Sequence, residues 1–148
     1  MDLQEMILAK AGAAKEAAQS MNMLSTVVKN AALLAMAHAL AQRCEAVLEA
    51  NQQDLEQARH KGVKRSYLDR LMLNESRIKG MADGLRQAAA LPDPIGEGDS
   101  STIRPNGLEI RRVRVPLGVV GMIYEARPNV TADAIGLCMK SGNSVLLR

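Results

Sequence analysis

The chain is 148 residues long, 47% hydrophobic and formally +3 at pH 7, with no Phe or Trp and only two tyrosines. That length allows a real core, but one made of Leu, Val, Ile, Met and Ala, which favours closely packed helices. The charge is too modest for a dedicated nucleic-acid binder, and the longest uncharged stretch, residues 30–42, falls short of the roughly 18 apolar residues of a membrane span.

The basic excess is local. Residues 1–100 carry 12 basic and 13 acidic side chains, whereas residues 101–148 carry seven and three, so anion-binding chemistry is sought in the last third. Cys44 and Cys138 lie among apolar neighbours without metal-type spacing. They read as buried, reduced thiols of a cytosolic protein rather than a disulfide framework or a metal site. The acidic opening M-D-L-Q-E-M is unlike the basic start of a secretory signal.

Taken in order, Leu3, Ile7, Ala11, Ala14, Ala18 and Met21 recur at helical spacing and predict one amphipathic helix. Ser25 is the expected N-cap of a long helix reaching about residue 49, with His38, Gln42, Glu45 and Glu49 along one polar line. Leu33, Met36, Leu40 and Val47 fall opposite. A further helix is predicted over 52–61, where His60 and Lys61 suit the negative end of the dipole and Gly62 the turn beyond it. A short helix follows over 67–72, and Asn74 caps another running to about residue 90.

From Leu91 the composition changes to L-P-D-P-I-G-E-G-D-S-S-T-I-R-P-N-G, which marks a boundary. Asn106-Gly107 signals a type I′ hairpin between strands at 102–104 and 108–115. Leu108 and Ile110 share one face while Val113 and Val115 fall on the other, so a bulge or strong twist is expected at Arg111-Arg112. An apolar strand over 119–124, a helix over 130–140 ended by Gly142, and a strand over 144–147 form a parallel βαβ unit. Two parallel strands leave edges and faces uncovered, which predicts that the sequence is a fragment of a larger α/β protein.

The stretch V-P-L-G-V-V-G-M-I-Y-E-A-R-P-N-V-T, residues 115–131, raises the functional question. Open α/β sheets bind ligands beyond the C-terminal ends of their strands, where Glu125, Ala126, Arg127, Pro128 and Asn129 lie. Asn129 or Thr131 is expected to cap the next helix, whose first amides favour an anion. The plainer alternative is a capping Asn129 and an Arg127–Glu125 ion pair that only shapes the loop. Gly118 and Gly121 do not complete a G-x-G-x-x-G fingerprint, and tight packing explains them equally well. Arg148 ends the second strand and points to the same crevice; by itself it reads as a solvated charge. R-R-V-R at 111–114 lies in a strand pattern without stacking aromatics, which argues against nucleic-acid contact.

The run R-R-V-R-V-P-L-G-V-V-G-M-I-Y-E-A-R-P-N-V-T, followed by L-C-M-K-S-G-N-S-V-L-L-R, resembles the gamma-glutamyl phosphate reductase family of the aldehyde dehydrogenase superfamily. N-Q-Q-D at 51–54, L-D-R-L at 68–71 and R-I-K-G-M-A-D-G-L-R at 77–86 agree, so the resemblance covers essentially the whole chain. It implies an α/β fold with three parts. These are a helical N-terminal region over 1–90, a linker and bridging or oligomerisation hairpin over 91–116, and over 117–148 the truncated start of a Rossmann-like NADP-binding domain.

The implied reaction is NADPH-dependent reduction of L-glutamate 5-phosphate to L-glutamate 5-semialdehyde with release of phosphate, a cytoplasmic step of proline biosynthesis. Arg127 and Asn129 are the implied substrate-binding residues; Ile123, Tyr124, Glu125, Ala126 and Arg148 are the implied cofactor-binding residues. No metal is implied. The partners implied are the small-molecule substrate, a second copy of the chain and the glutamate kinase of the pathway. The family's cysteine nucleophile sits in a motif resembling P-S-T-C-N, which is absent here. Neither Cys44 nor Cys138 matches its context, so this chain alone is expected to be inactive. The rival expectation is an inactive fragment that serves only as an interaction or assembly module.

Overall fold

The computed structural model describes residues 2–148, without the side chain of residue 99; Met1, at the head of the expected helical region, lies outside the described residues. Five helices precede the first strand: α1 (Leu3–Met21), α2 (Thr26–Gln42), α3 (Cys44–His60), α4 (Arg65–Leu71) and α5 (Glu75–Ala90). Then come β1 (Gly98–Ile103), β2 (Glu109–Val113), β3 (Val119–Met122), α6 (Pro128–Lys140) and β4 (Ser144–Leu147). The fold is α/β. β1 and β2 form an antiparallel hairpin, and β3 and β4 form a separate parallel pair joined through α6.

Local chemistry sets most helix ends. Ser25 Oγ accepts the Val28 N–H at 3.4 Å, and Asn74 Oδ1 accepts the Arg77 N–H at 2.8 Å, as their cap positions predict. Gly62 and Gly142 take left-handed φ values of 67° and 70° just beyond α3 and α6. In both places the following N–H, of Val63 or Asn143, returns to the carbonyl of Ala58 or Cys138.

The expected long helix from Ser25 is two helices. Arg43, at φ −99° and ψ 23°, interrupts the ladder, and α2 and α3 diverge by 68°. The expected break near residue 51 does not occur, because Asn51 is buried within α3 and spends its amide elsewhere. It donates to the Leu71 carbonyl at 2.9 Å and accepts the Leu73 N–H at 2.7 Å. The bend lets α3 bury Asn51, Leu55 and Ala58 while α2 buries Lys29, Leu33 and Ala37. His38, Gln42, Glu45 and Glu49 therefore do not share one polar line. Cys138 is buried as expected, but Cys44, placed at the bend, is only half-buried. In α1, Ala11, Ala14, Ala18 and Met21 turn inward, whereas Leu3 and Ile7 stay exposed.

The hairpin also differs in detail. Only Gly107 has a left-handed φ, 84°, and Gly107 N–H bonds the Arg104 carbonyl at 2.8 Å. The turn therefore starts at Arg104 with Pro105 second, which suits a type I turn followed by a left-handed glycine rather than type I′. The register irregularity lies opposite the expected position, on β1 between Gly98 and Ser100, facing Arg112 and Val113. The extra residue is carried by β1, and β2 runs through Arg111-Arg112 without one.

The core is the seam of α2, α5 and α6, where Leu33, Ala37, Ala82, Leu85, Ala88 and Ala89 are all at most 6% exposed. Gly136 lets α6 approach α5 so closely that a Cβ there would meet Leu85 Cδ2 at 2.9 Å. At one end of this seam two lysines are buried. Lys29 Nζ lies 2.5 Å from Asp93 Oδ2 and donates to the Lys140 carbonyl at 3.2 Å. Lys140 Nζ donates to Asn30 Oδ1 at 2.6 Å and to the Ala89 carbonyl at 2.9 Å.

Burial raises the Asp93 carboxyl, but hydrogen bonds from Lys29, Thr26 and the Ile95 N–H, with the Lys29 charge, together hold it below the usual range. A carboxyl whose folded pKa is depressed adds stability above its unfolded pKa and loses it as pH falls through the folded value. Asp93→Asn should therefore cost about 3 kcal/mol at neutral pH by leaving the Lys29 ammonium uncompensated. In urea denaturation, the gap between wild type and variant should narrow as the pH is lowered below about 4.

Candidate active site

A cleft of about 450 Å³ opens between the α4–α5 corner and the N-terminus of α6. Arg127, Pro128 and Asn129 line one side, with Asp133 one turn further along α6. Asp69, Arg70, Arg77 and Met81 line the other. This places the two sequence-predicted substrate residues in one concavity.

Each wall has a local cause. Pro128 takes the first helical position, where its missing N–H costs nothing and its fixed φ suits the turn. The N-cap is Arg127, with φ −135° and ψ 85° and no side-chain cap, so α6 starts earlier than Asn129 or Thr131 would have set it. Asn129 therefore lies inside the first turn, exposed and lining the cleft. Thr131 instead shares a 2.5 Å hydrogen bond with the Tyr124 hydroxyl, joining the strand exit to the helix. The opposite wall is fixed by Arg77, which donates to the Asp69 and Met72 carbonyls at 2.6 and 2.5 Å, and by Asn51 gripping Leu71 and Leu73.

Ala126, just before Arg127, has a φ of 50°, and it is the one non-glycine residue with a left-handed backbone among the described residues. Such a conformation is disfavoured for a residue with a Cβ and persists only where the surroundings impose it. It turns the chain sharply between the end of β3 and α6.

Ile123, Tyr124, Glu125, Ala126 and Arg148, the expected cofactor residues, do not line this cleft. They gather beside it at the paired strand ends. Tyr124 N–H bonds the Arg148 carbonyl at 2.9 Å, and Arg148 N–H bonds the Met122 carbonyl at 3.0 Å. Ile123, Glu125 and Arg148 are exposed there, Ile123 to 85%. No ion pair joins Arg127 to Glu125 among the described residues. Neither cysteine lines the cleft, and burial pushes the Cys138 thiol up, away from the reactive thiolate. Of the basic run, Arg111 bonds Glu109 at 2.7 Å and Arg114 bonds Glu97 at 3.0 Å.

Sequence reasoning missed Asp69, Arg70, Arg77 and Asp133 as part of this site. Asp133 was within reach, because it lies four residues from Asn129 on the same face of a predicted helix.

No protein-family model matches the chain. It is 62% identical over 135 residues to the gamma-glutamyl phosphate reductase of Moorella thermoacetica, covering 91% of this chain and 32% of that protein. It is 55% identical over 148 residues to that of Clostridium novyi, covering 100% and 36%. A gamma-glutamyl phosphate reductase structure from Thermotoga maritima superposes with a TM-score of 0.92 at 46% identity, covering 95% of this chain and 34% of that one. Over nearly its whole length the chain is thus similar to gamma-glutamyl phosphate reductases. It spans about a third of the length of the relatives it matches. The corresponding yeast structure, from Saccharomyces cerevisiae, superposes with a TM-score of 0.87 at 30% identity, covering 100% of this chain and 37% of that one. The arrangement of α6 against the α4–α5 corner is thus shared with gamma-glutamyl phosphate reductases of solved structure.

Two measurements follow from the geometry. Ala126→Val should lower stability by at least about 1 kcal/mol, since a β-branched residue resists a left-handed backbone, while Ala126→Gly should not. Thermal denaturation of the two variants checks this. In the folded chain, half-buried Cys44 should react with a thiol reagent well before buried Cys138, as mass spectrometry of the labelled peptides would show.

Proposed function

We propose that the chain supplies a substrate-binding wall and part of the cofactor surface of an enzyme that reduces L-glutamate 5-phosphate to L-glutamate 5-semialdehyde with release of phosphate. The observation that carries this reading is the cleft itself. Arg127 and Asn129 line it together at a parallel strand exit, where the first turn of α6 contributes a positive dipole end.

The roles follow from the groups present. The Arg127 guanidinium offers a planar fork to the acyl phosphate, or to the oxyanion that develops at its carbonyl carbon. Asn129 adds an amide donor on the same side. Tyr124, tied to Thr131, holds the loop from which Arg127 projects. The attacking thiol is neither Cys44 nor Cys138, since neither lines the cleft and Cys138 is further disfavoured by burial.

The cofactor of the reading is NADPH, which when bound supplies the hydride. The residues fit it. The ends of β3 and β4 lie side by side, which is where a Rossmann-like sheet takes a dinucleotide. Ile123 is open to a ring, and Arg148 carries an exposed guanidinium suited to the 2′-phosphate of NADP. A cytoplasmic place in proline biosynthesis goes with this chemistry.

A second reading, an assembly module without turnover, rests on the hairpin. Ile103, Leu108, Ile110 and Val113 are 44–73% exposed there, an apolar surface suited to a second copy of the chain. The pathway's glutamate kinase is a further partner in keeping with the substrate, since it would supply the acyl phosphate.

Three assays test the reading. The isolated chain should show no NADPH oxidation with L-glutamate 5-phosphate, and measurable turnover would overturn the assignment of the thiol to residues outside it. In a full-length reductase carrying this chain, Arg127→Lys keeps the charge but loses the fork, so kcat/KM should fall by roughly 100-fold, against a mild effect of Glu125→Gln. Near-normal kcat/KM for Arg127→Lys would refute the substrate role. Arg148→Ala should weaken NADPH binding by about 1–3 kcal/mol and NADH binding little; equal losses would make Arg148 structural.

A further inference from the structure

The cleft holds five charged side chains, and two are committed to each other. Arg77 spends its guanidinium on the Asp69 and Met72 carbonyls, with the Asp69 carboxylate 3.7 Å away. Arg70, Arg127 and Asp133 remain. None of the three has a side-chain hydrogen bond or ion pair among the described residues. The cleft therefore presents two guanidiniums and one carboxylate with unused capacity.

L-glutamate 5-phosphate carries the complementary set: a phosphate and an α-carboxylate, which are anions, and one α-ammonium. On the reading given above, we propose that Arg70 and Asp133 select the amino-acid end of this substrate, Arg70 holding the α-carboxylate and Asp133 the α-ammonium. Arg127 then holds the phosphate.

Spacing supports this division. Arg127, at the N-cap of α6, and Asp133 are six residues apart, about 9 Å along the helix axis. That is on the order of the distance between the two ends of an extended five-carbon acyl phosphate. α5 carries Gly80 on the cleft lining, and at Gly84, one turn on, a Cβ would come to 3.5 Å from Asp133 Oδ1. The Asp133 carboxylate thus lies close against α5 at the edge of the cleft.

The test uses a full-length reductase carrying this chain and three acyl phosphates: L-glutamyl 5-phosphate, glutaryl phosphate without the ammonium, and butyryl phosphate without either end group. Asp133→Asn should collapse the kcat/KM preference for L-glutamyl over glutaryl phosphate by roughly 10-fold or more. Arg70→Ala should do the same to the preference for glutaryl over butyryl phosphate, with partial recovery in Arg70→Lys. Ratios within one variant cancel losses of folded protein. Unchanged ratios in both variants, with Arg127→Lys lowering kcat/KM on all three substrates, would overturn this assignment and leave the phosphate site standing. If Arg127→Lys lowers none of the three, the phosphate reading fails and this assignment with it.

Discussion

Burying the Lys29 ammonium, with a side chain only 2% exposed, fixes the arrangement on which the site depends. A lone charge at such depth is costly unless charge and hydrogen bonds compensate it. Lys29 finds Asp93 from the segment after α5 and the carbonyl of Lys140 at the end of α6. Lys140 in turn reaches Asn30 on α2 and Ala89 in the last turn of α5. Helices leave their final carbonyls without intrahelical partners, and the two lysines satisfy one such carbonyl each, on α6 and α5, while their charge opposes the negative helix ends. Three helices that share the apolar seam of Leu33, Ala37, Leu85 and Ala88 are thereby held in one relative position.

That lock sits at the opposite end of α6 from the cleft, and this is how it reaches the chemistry. A helix of 13 residues pinned at Lys140 and pressed on α5 through Gly136 has little freedom left at Pro128. Its first turn must then open beside the α4–α5 corner, itself held by Asn51 and Arg77. The charged groups of the cleft thus stand on two independently anchored supports. The strain at Ala126 is consistent with this, because the loop between β3 and α6 has to join two ends whose positions are set from elsewhere.

Local pattern and tertiary context divide sharply in this chain. Ser25, Asn74, Gly62 and Gly142 announce helix ends because capping and left-handed turns are decided by a residue and its nearest neighbours. The βαβ unit is legible for the same reason, two short apolar runs flanking a helical period. The kink at Arg43 was not, since no Gly or Pro marks it, and α3 beyond it is held by Asn51 bonding Leu71 and Leu73, 20 and 22 residues away. The bulge was misplaced because β2 is exposed along its whole length, so no buried face imposes a phase on its apolar residues.

The sequence by itself determined the α/β class, the polar strand exit with Arg127 and Asn129, and the family resemblance, since all three reside in short contiguous motifs. Even the buried lysines left a trace, with Lys29 in phase with Leu33 and Ala37, and Lys140 in phase with Ala132 and Gly136. Only the tertiary structure decided that Asp93 would meet Lys29, and that Arg70 would face Arg127 and Asp133 across the cleft. Arg70 and Arg127 lie on elements separated by all of α5 and the hairpin. Their meeting follows from how three helix axes pack, and periodicity within one element carries no information about that.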